Sequence, residues 1–406
     1  MTAPIPVVIE SSLCTRCGCC AAVCPQDCII MKSTPPAQKG ETCINCGLCE
    51  QVCPGRGIDL QSHGASLCDT ARYHRGMGWI INSYSAYATE EKIRKAATSG
   101  GAVTSMLKYL LEADIIDGAL VVTFDADQPW ITRYILATST EEVEQSAQTK
   151  YQITSLEDSL HKIPQNRIAV VGLPCMMHGM RKLQKTPVGK KIVLLIGLFC
   201  WVHMEQEATA FLLRALNIKT SDVKDIAYRS GEYLGGFRVR DIHGHKKFLE
   251  KECYNFLPLL YAPERCTVCA DFSNELADIS CGDAKSLKSP QGHTYVITRS
   301  QLGQDVLDDC VEHGVIQVNA CPIEEIMDSE GSALLFKKGA FKRIEKKGIP
   351  IFYGTEQYTI PLKNKIYECI FCFIHARRRY FRKIIEFLPG AFFNLISRWI
   401  TRQRGR

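Results

Sequence analysis

Two matching runs of four cysteines, buried-type strands alternating with helical periodicity, and a basic aromatic C-terminus predict an α+β/α/β chain. Its expected parts are a ferredoxin-like two-cluster module at 1–62, a linker at 63–89, a mixed α/β domain at 90–335 and a basic amphipathic helical tail at 361–406. A length of 406 residues suits two or three domains.

The first part rests on CTRCGCCAAVCP and CINCGLCEQVCP. Cys14, Cys17, Cys20 and Cys24 keep the spacing C-x2-C-x2-C-x3-C-P, and Cys43, Cys46, Cys49 and Cys53 repeat it, with Pro25 and Pro54 closing each copy. Bacterial-type ferredoxins hold two [4Fe–4S] clusters with this spacing, and the fourth cysteine of each run ligates the other run's cluster. The expected sets are therefore Cys14, Cys17, Cys20 and Cys53, and Cys43, Cys46, Cys49 and Cys24. Disulfides or zinc would leave the duplication unexplained. Cluster spacing among 21 cysteines, with no signal-peptide pattern at the start, points to a reducing compartment and a cytoplasmic protein. Short strands are expected at Val7–Glu10, Ile29–Lys32 and Ile58–Gln61, with a loop at 33–40 and no regular period over 61–88.

The second part begins at TSGG (98–101). Val103, Met106, Leu107, Leu110 and Leu111 follow at helical spacing, with Thr98 or Ser99 as the expected cap. Thr98, Ser99, Gly100 and Gly101 would leave amides open to an anion at a helix N-terminus, although a plain tight turn explains them too. Strands are expected at Ala119–Phe124, Arg167–Gly172 and Lys191–Phe199, with a helix at Met176–Leu183 between the last two. Strand, helix, strand in that order suggests a parallel pair. Ligands gather at the carboxyl ends of such strands, where Cys175 and Cys200 fall. Cys266-x2-Cys269 adds two thiols in acidic company (Asp271, Glu275, Asp278, Asp283), so the four suffice for a third cluster, with Cys281 in reserve. The alternative is that Cys175 and Cys200 are small buried apolar residues. A strand at 292–299 and a helix at Gln301–His313 complete this part. Cys28, Cys68, Cys253, Cys310 and Cys321 read as structural. His178, His203 and His293 are candidate proton donors, or plain structural histidines. No dinucleotide fingerprint, Walker motif or nucleophile elbow is present.

In 361–406 eleven Lys and Arg residues face only Glu368 and Glu386, so the formal charge of +6 belongs to this segment and the body is mildly acidic. Pro389-Gly390 divides it. Phe392, Leu395, Ile396 and Trp399 share one face of Ala391–Ile400, the pattern of a helix lying in a membrane interface; ordinary packing on the body is the alternative. Cys369-x2-Cys372 reads as packing rather than metal, and nucleic acid is disfavoured by the interleaved apolar surface. No run of about 18 apolar residues indicates a membrane span.

In order, ATSGGAVTSML (97–107), Lys150-Tyr151, VGLPCMMHGMRKL (171–183), IGLFCWVH (196–203), CTVCADFSNELADISCGD (266–283) and GHTYVITRS (292–300) resemble the coenzyme F420 hydrogenase/dehydrogenase beta-subunit family. With the two-cluster module ahead of it, the chain is similar to F420H2-oxidising electron-input subunits; the family also includes ferredoxin-dependent reductases. The resemblance implies a flavin domain with FAD near Thr98–Gly101 and Lys150-Tyr151. It also implies a [4Fe–4S] cluster on Cys175, Cys200, Cys266 and Cys269, coenzyme F420 as the hydride carrier, and ferredoxin or a redox subunit as partner. Met176 stands where family members often carry Gln, and the basic tail lies outside the family pattern. The expected function is an iron–sulfur flavoprotein oxidoreductase, cytoplasmic, with peripheral contact at the inner face of the cell membrane through 361–406. A ferredoxin-fed reductase of an organic substrate and a non-catalytic electron-transfer subunit are the competing expectations.

Overall fold

A computed structural model of the chain describes residues 7–31, 37–232, 235–287 and 292–387. The N-terminal module holds α1 (Cys19–Ala22), β1 (Ile29–Ile30), β2 (Gln38–Lys39), α2 (Leu48–Gln51) and α3 (Leu60–Ala65). Its two cysteine runs fold alike. Arg16 and Asn45 occupy positive φ at 56° and 55°, and Gly18 and Gly47 follow at 81° and 77°. Each glycine then starts a one-turn helix. At Gly18 a side chain is excluded twice, by φ and by the Leu156 carbonyl, which a Cβ would meet at 1.9 Å.

Three local expectations change here. Val7 makes only an isolated bridge to Gln38, in place of a strand over 7–10. Part of the expected loop pairs instead, β2 running antiparallel to β1. The expected strand at 58–61 is the start of α3, because the Asp59 side chain accepts from the Ser62 amide at 3.0 Å and caps a helix there.

The span 63–89 is not a linker. It holds the hairpin β3 (Arg72–His74) and β4 (Gly78–Ile80), and then β5 (Asn82–Ala88), an interior strand of the main sheet. After β5 come α4 (Glu91–Ala96), α5 (Ala102–Glu112), β6 (Gly118–Phe124), β7 (Thr132–Ala137) and α6 (Thr140–Gln145). Next are β8 (Ile168–Gly172), α7 (Pro174–Leu183), β9 (Ile192–Leu198) and α8 (Glu207–Ala215). A three-stranded antiparallel sheet, β10 (Val223–Ser230), β11 (Gly236–Asp241) and β12 (Lys246–Glu250), precedes α9 (Leu257–Tyr261). The main sheet closes with β13 (Ile279–Asp283), β14 (Thr294–Thr298), α10 (Gln301–Glu312) and β15 (Ile316–Ala320).

The eight-stranded order is β15-β5-β14-β13-β9-β8-β6-β7. The central four, β13-β9-β8-β6, run parallel, as the strand–helix–strand reading requires, and antiparallel strands flank them. The central strands read as continuous apolar runs because both faces are covered. On one face α5 and α10 bury Met106, Leu107, Leu110 and Leu307. On the other, α7 buries Met176, Met177 and Met180 together with Cys19, Ala22 and Val23 of the N-terminal module. The module is thus docked on the sheet, and a Cβ at Gly179 would meet Cys19 Sγ at 2.4 Å.

The described residues end in α11 (Ile323–Lys338), α12 (Ala340–Lys347), α13 (Leu362–Ala376) and α14 (Arg378–Phe387). Residues 361–387 are packed on the body. Phe371 packs on Phe336 at 4.8 Å, and the His375 ring donates to the Ala262 carbonyl at 2.8 Å. Cys369 is exposed and Cys372 half-buried, so Phe371 does the packing expected of those cysteines. Pro389-Gly390 and the expected helix at Ala391–Ile400 lie outside the described residues. Among the described residues no helix is long and apolar enough to cross a membrane.

Candidate functional site

The thiols fall into three groups. In the first, burial raises Cys20 and Cys53, the latter to about 12, and the neighbouring thiols add to it: Cys17, Cys53 and Cys14 act on Cys20, and Cys17 and Cys14 on Cys53. These four are the crossed set expected from the spacing, with Cys53 delivered from the second run. In the second group, Cys24, Cys43, Cys46 and Cys49 line one small cavity. Cys28 lines it too, with its sulfur 3.5 Å from Cys24 Sγ. Cys28 lies outside the repeat, so the spacing alone gives it no partner. This group is the outermost: Cys46 is exposed and Cys43 half-buried.

The third group forms where the parallel strands end. Cys175 lies in the first turn of α7, just beyond β8, and Cys200 just beyond β9. Burial raises Cys175 well above the usual thiol value, and Cys17, Cys200, Cys269 and Cys266 add to it in that order. Cys17 of the first group is therefore an immediate electrostatic neighbour of the third. Lys337, at the end of α11, is 1 % exposed. Burial works against its charge, but Cys269, Cys200 and Cys266 outweigh that and raise its pKa. No periodicity links 337 to 266, so nothing in the sequence marked this lysine. Cys281 stays outside the group: it packs in the sheet core and its thiol is pushed up to about 12 by burial alone.

The acidic residues of the 266–283 stretch brace the scaffold. Asp271 pairs with His178 at 2.8 Å, Asp278 with Arg181 at 2.8 Å, and Glu275 with Lys338 at 2.5 Å. This fixes His178 as structural. Among the described residues no three His, Cys, Asp or Glu side chains could together hold a metal ion.

Beside the third group lies a cavity of about 620 Å³, lined by Thr98, Ser99, Gly101, Lys150, Tyr151 and Cys200 among others. That volume is in the range of cofactor pockets. Gly101 caps α5 with positive φ and without a side-chain cap bond. The expected caps are engaged elsewhere: Thr98 Oγ1 accepts from the Thr149 amide at 2.8 Å, and Ser99 Oγ lies 3.1 Å from Thr294 Oγ1. Gly100 does not line the cavity; it lies against β5, where a Cβ would meet the Ala86 carbonyl at 2.4 Å.

The polar lining is mainly cationic. Burial lowers Lys150 to about 7, and its ammonium donates to the Ala147 carbonyl at 2.6 Å. Burial also lowers Lys251 to about 7; it sits 4.5 Å over the Tyr151 ring. Arg229 pairs with Asp283 on the same wall. Lys251 and Arg229 come from the β10–β12 region, which sequence reasoning left without structure. His203 also faces the cavity; burial, then Lys337, lowers it to about 4, and Nε2 donates to the Gln152 carbonyl at 2.6 Å. His293 sits apart, 3.3 Å from Arg94.

Residues 83–161 match the N-terminal family model, and 165–323 the C-terminal one, of the coenzyme F420 hydrogenase/dehydrogenase beta subunit. The chain belongs to that family. It is 30 % identical over 281 residues to the coenzyme F420 hydrogenase subunit beta of Methanothermobacter thermautotrophicus, a match covering 66 % of this chain and 92 % of that one. It is 29 % identical over 371 residues to the coenzyme F420-dependent sulfite reductase of Methanocaldococcus jannaschii, covering 86 % of this chain but only 54 % of that enzyme's length. A chain of the F420-reducing [NiFe] hydrogenase complex from Methanosarcina barkeri superposes with a TM-score of 0.55 at 25 % identity, over 70 % of this chain and 98 % of that one. By their names these relatives are F420-linked oxidoreductases.

Proposed function

We propose that the chain is an iron–sulfur flavoprotein oxidoreductase relaying electrons between a coenzyme F420-type hydride carrier and one-electron carriers at its N-terminal module. The observation that carries this reading is that Cys17 is an electrostatic neighbour of Cys175 and Cys200 stands on the cavity wall, while Cys20 of the first group packs in one cluster with Cys24 and Cys49 of the second, an arrangement that supports a relay. A flavin supplies the exchange between paired and single electrons that clusters alone do not provide. Cys14, Cys17, Cys20 and Cys53 would hold one [4Fe–4S] cluster, Cys24, Cys43, Cys46 and Cys49 a second, and Cys175, Cys200, Cys266 and Cys269 a third. Thr98, Ser99 and Gly101 would receive the phosphates of FAD at the start of α5, and Lys150 and Tyr151 flank the same cavity. Lys251, lowered to about 7 by burial, would take up a proton and its full charge beside an acidic hydride carrier, with the Arg229–Asp283 pair next to it. The exposed Cys46 side is the port for ferredoxin or a redox partner subunit.

The same reading puts the protein in the cytoplasm, with 361–406 as its contact with the inner face of the cell membrane. A subunit that only passes electrons has no use for a 620 Å³ cavity beside its third thiol group, which weighs against a plain electron wire. The test is anaerobic mixing with reduced coenzyme F420, NADH and reduced ferredoxin, each followed by flavin bleaching. Bleaching by reduced F420, with electrons passed on to ferredoxin, is expected. Bleaching by ferredoxin alone would replace this reading with a ferredoxin-fed reductase of an organic substrate.

A further inference from the structure

The tail helices carry a face that the electron relay leaves unused. On α13, Leu362, Ile366, Ile370 and Phe373 are 73, 53, 52 and 53 % exposed. They recur at helical spacing, on the side opposite the packed Asn364, Phe371 and His375. On α14, Tyr380 and Ile384 are also exposed. Single exposed apolar residues are ordinary, but a continuous row of them marks a contact surface.

The charge around this row is mainly positive. Lys363, Lys365, Arg379 and Lys383 lie on the same two helices, with Glu386 the acidic residue of α14, and Arg377, between the helices, sits over the Phe373 ring at 4.0 Å. The acidic residue of α13, Glu368, is turned inward onto Arg343 at 3.0 Å. A partner protein is usually met by a rim of mixed charge. Aliphatic and aromatic side chains flanked mainly by cations match a bilayer with acidic headgroups, the apolar row entering the acyl boundary and the cations meeting phosphate. The sequence continues in the same vein beyond the described residues, with Arg398, Arg402, Arg404 and Arg406 among Phe392, Leu395, Ile396 and Trp399.

We propose that the outward face of α13 and α14, centred on Ile366, Ile370 and Phe373, seats the protein on an anionic lipid surface. This deepens the membrane-contact reading above and rests on it. The cavity lies behind α13: Phe371, on the inner side of the helix, packs on Trp201 at 6.0 Å, and Trp201 lines the cavity next to Cys200. Docking thus sets the cofactor cavity close behind the lipid surface.

The experiment sediments the anaerobically purified full chain with vesicles of phosphatidylcholine, alone or mixed equally with phosphatidylglycerol. The variants are Ile366→Ser/Ile370→Ser/Phe373→Ser, a chain ending at Phe387, and both changes combined. Binding to the phosphatidylglycerol vesicles is expected, weakened by salt. The triple variant should lose about tenfold or more with iron content unchanged. The shortened chain should keep part of the binding, and the combined variant none. Wild-type binding by the triple variant, with none by the shortened chain, would refute this face while leaving the membrane contact in 388–406. Failure of the full chain to bind either vesicle would overturn both. A triple variant that binds vesicles normally but loses a stoichiometric protein companion would assign the face to a protein instead.

Discussion

At Gly179 the N-terminal module packs tightly against helix α7 of the sheet domain. A Cβ there would stand 2.4 Å from Cys19 Sγ and 3.0 Å from Cys19 Cβ, so in Gly179→Ala helix α1 and helix α7 must separate by several tenths of an ångström. Overpacking of this kind costs about 1–3 kcal/mol. Cys17 lies two residues before Cys19 and Cys175 in the first turn of α7, so the shift is expected to widen the gap between the first and third thiol groups as well. Cys19→Ala removes the sulfur but not the approach to Cβ, and the double variant should recover part of the loss, with a coupling of about 0.5–3 kcal/mol. Two readouts check this: the thermal midpoint of the anaerobically purified protein, and the rate at which electrons given to the N-terminal module reach the flavin absorbance. Gly179→Ala should lower both, and Cys19→Ala should partly restore both. A Gly179→Ala protein equal to wild type in both would refute the idea that this contact sets the passage of electrons.

Other outcomes follow from the same geometry. Cys19→Ala alone should keep the full iron content while Cys20→Ala loses about four irons, because only Cys20 is in register with the cluster spacing; iron assay and electron paramagnetic resonance report it. Cys281→Ala should likewise keep its irons and cost about 1 kcal/mol in a thermal or denaturant midpoint. Lys337→Met removes a buried cation beside Cys269, Cys200 and Cys266, and a potentiometric titration should find the third cluster harder to reduce. Folded Lys150 and Lys251 sit at about 7 against an ordinary value of 10.5. Between those values the unfolded chain binds more protons, so the stability of flavin-free protein should rise with pH from about 7 towards 10. Lys150→Met/Lys251→Met should flatten that rise in thermal scans across pH.

Much of the site was legible because cluster ligation needs fixed local spacing. The two runs placed eight thiols, and two apolar strands each ending in cysteine placed Cys175 and Cys200 at one sheet edge. The parts that escaped lack a local signature. β5 reads NSYSAYA, small and polar residues that gain burial only between β14 and β15, so an interior strand resembled a linker. Asp59 turned an apparent strand into a capped helix. Lys337, Lys251 and Arg229 reach the site from distant segments, and Cys28 joins the second group through folding alone. On the tail, the amphipathic pattern was visible, but which face packs depended on Trp201 and Phe336, far away in sequence.

The most direct test of the relay is the iron and flavin content of the anaerobically purified chain, set against that of Cys266→Ser. The relay requires about twelve irons, four for each of three clusters, and one FAD in the wild-type chain, falling to about eight irons in the variant with the N-terminal cluster signals intact. A wild-type chain with only eight irons and no flavin would contradict it.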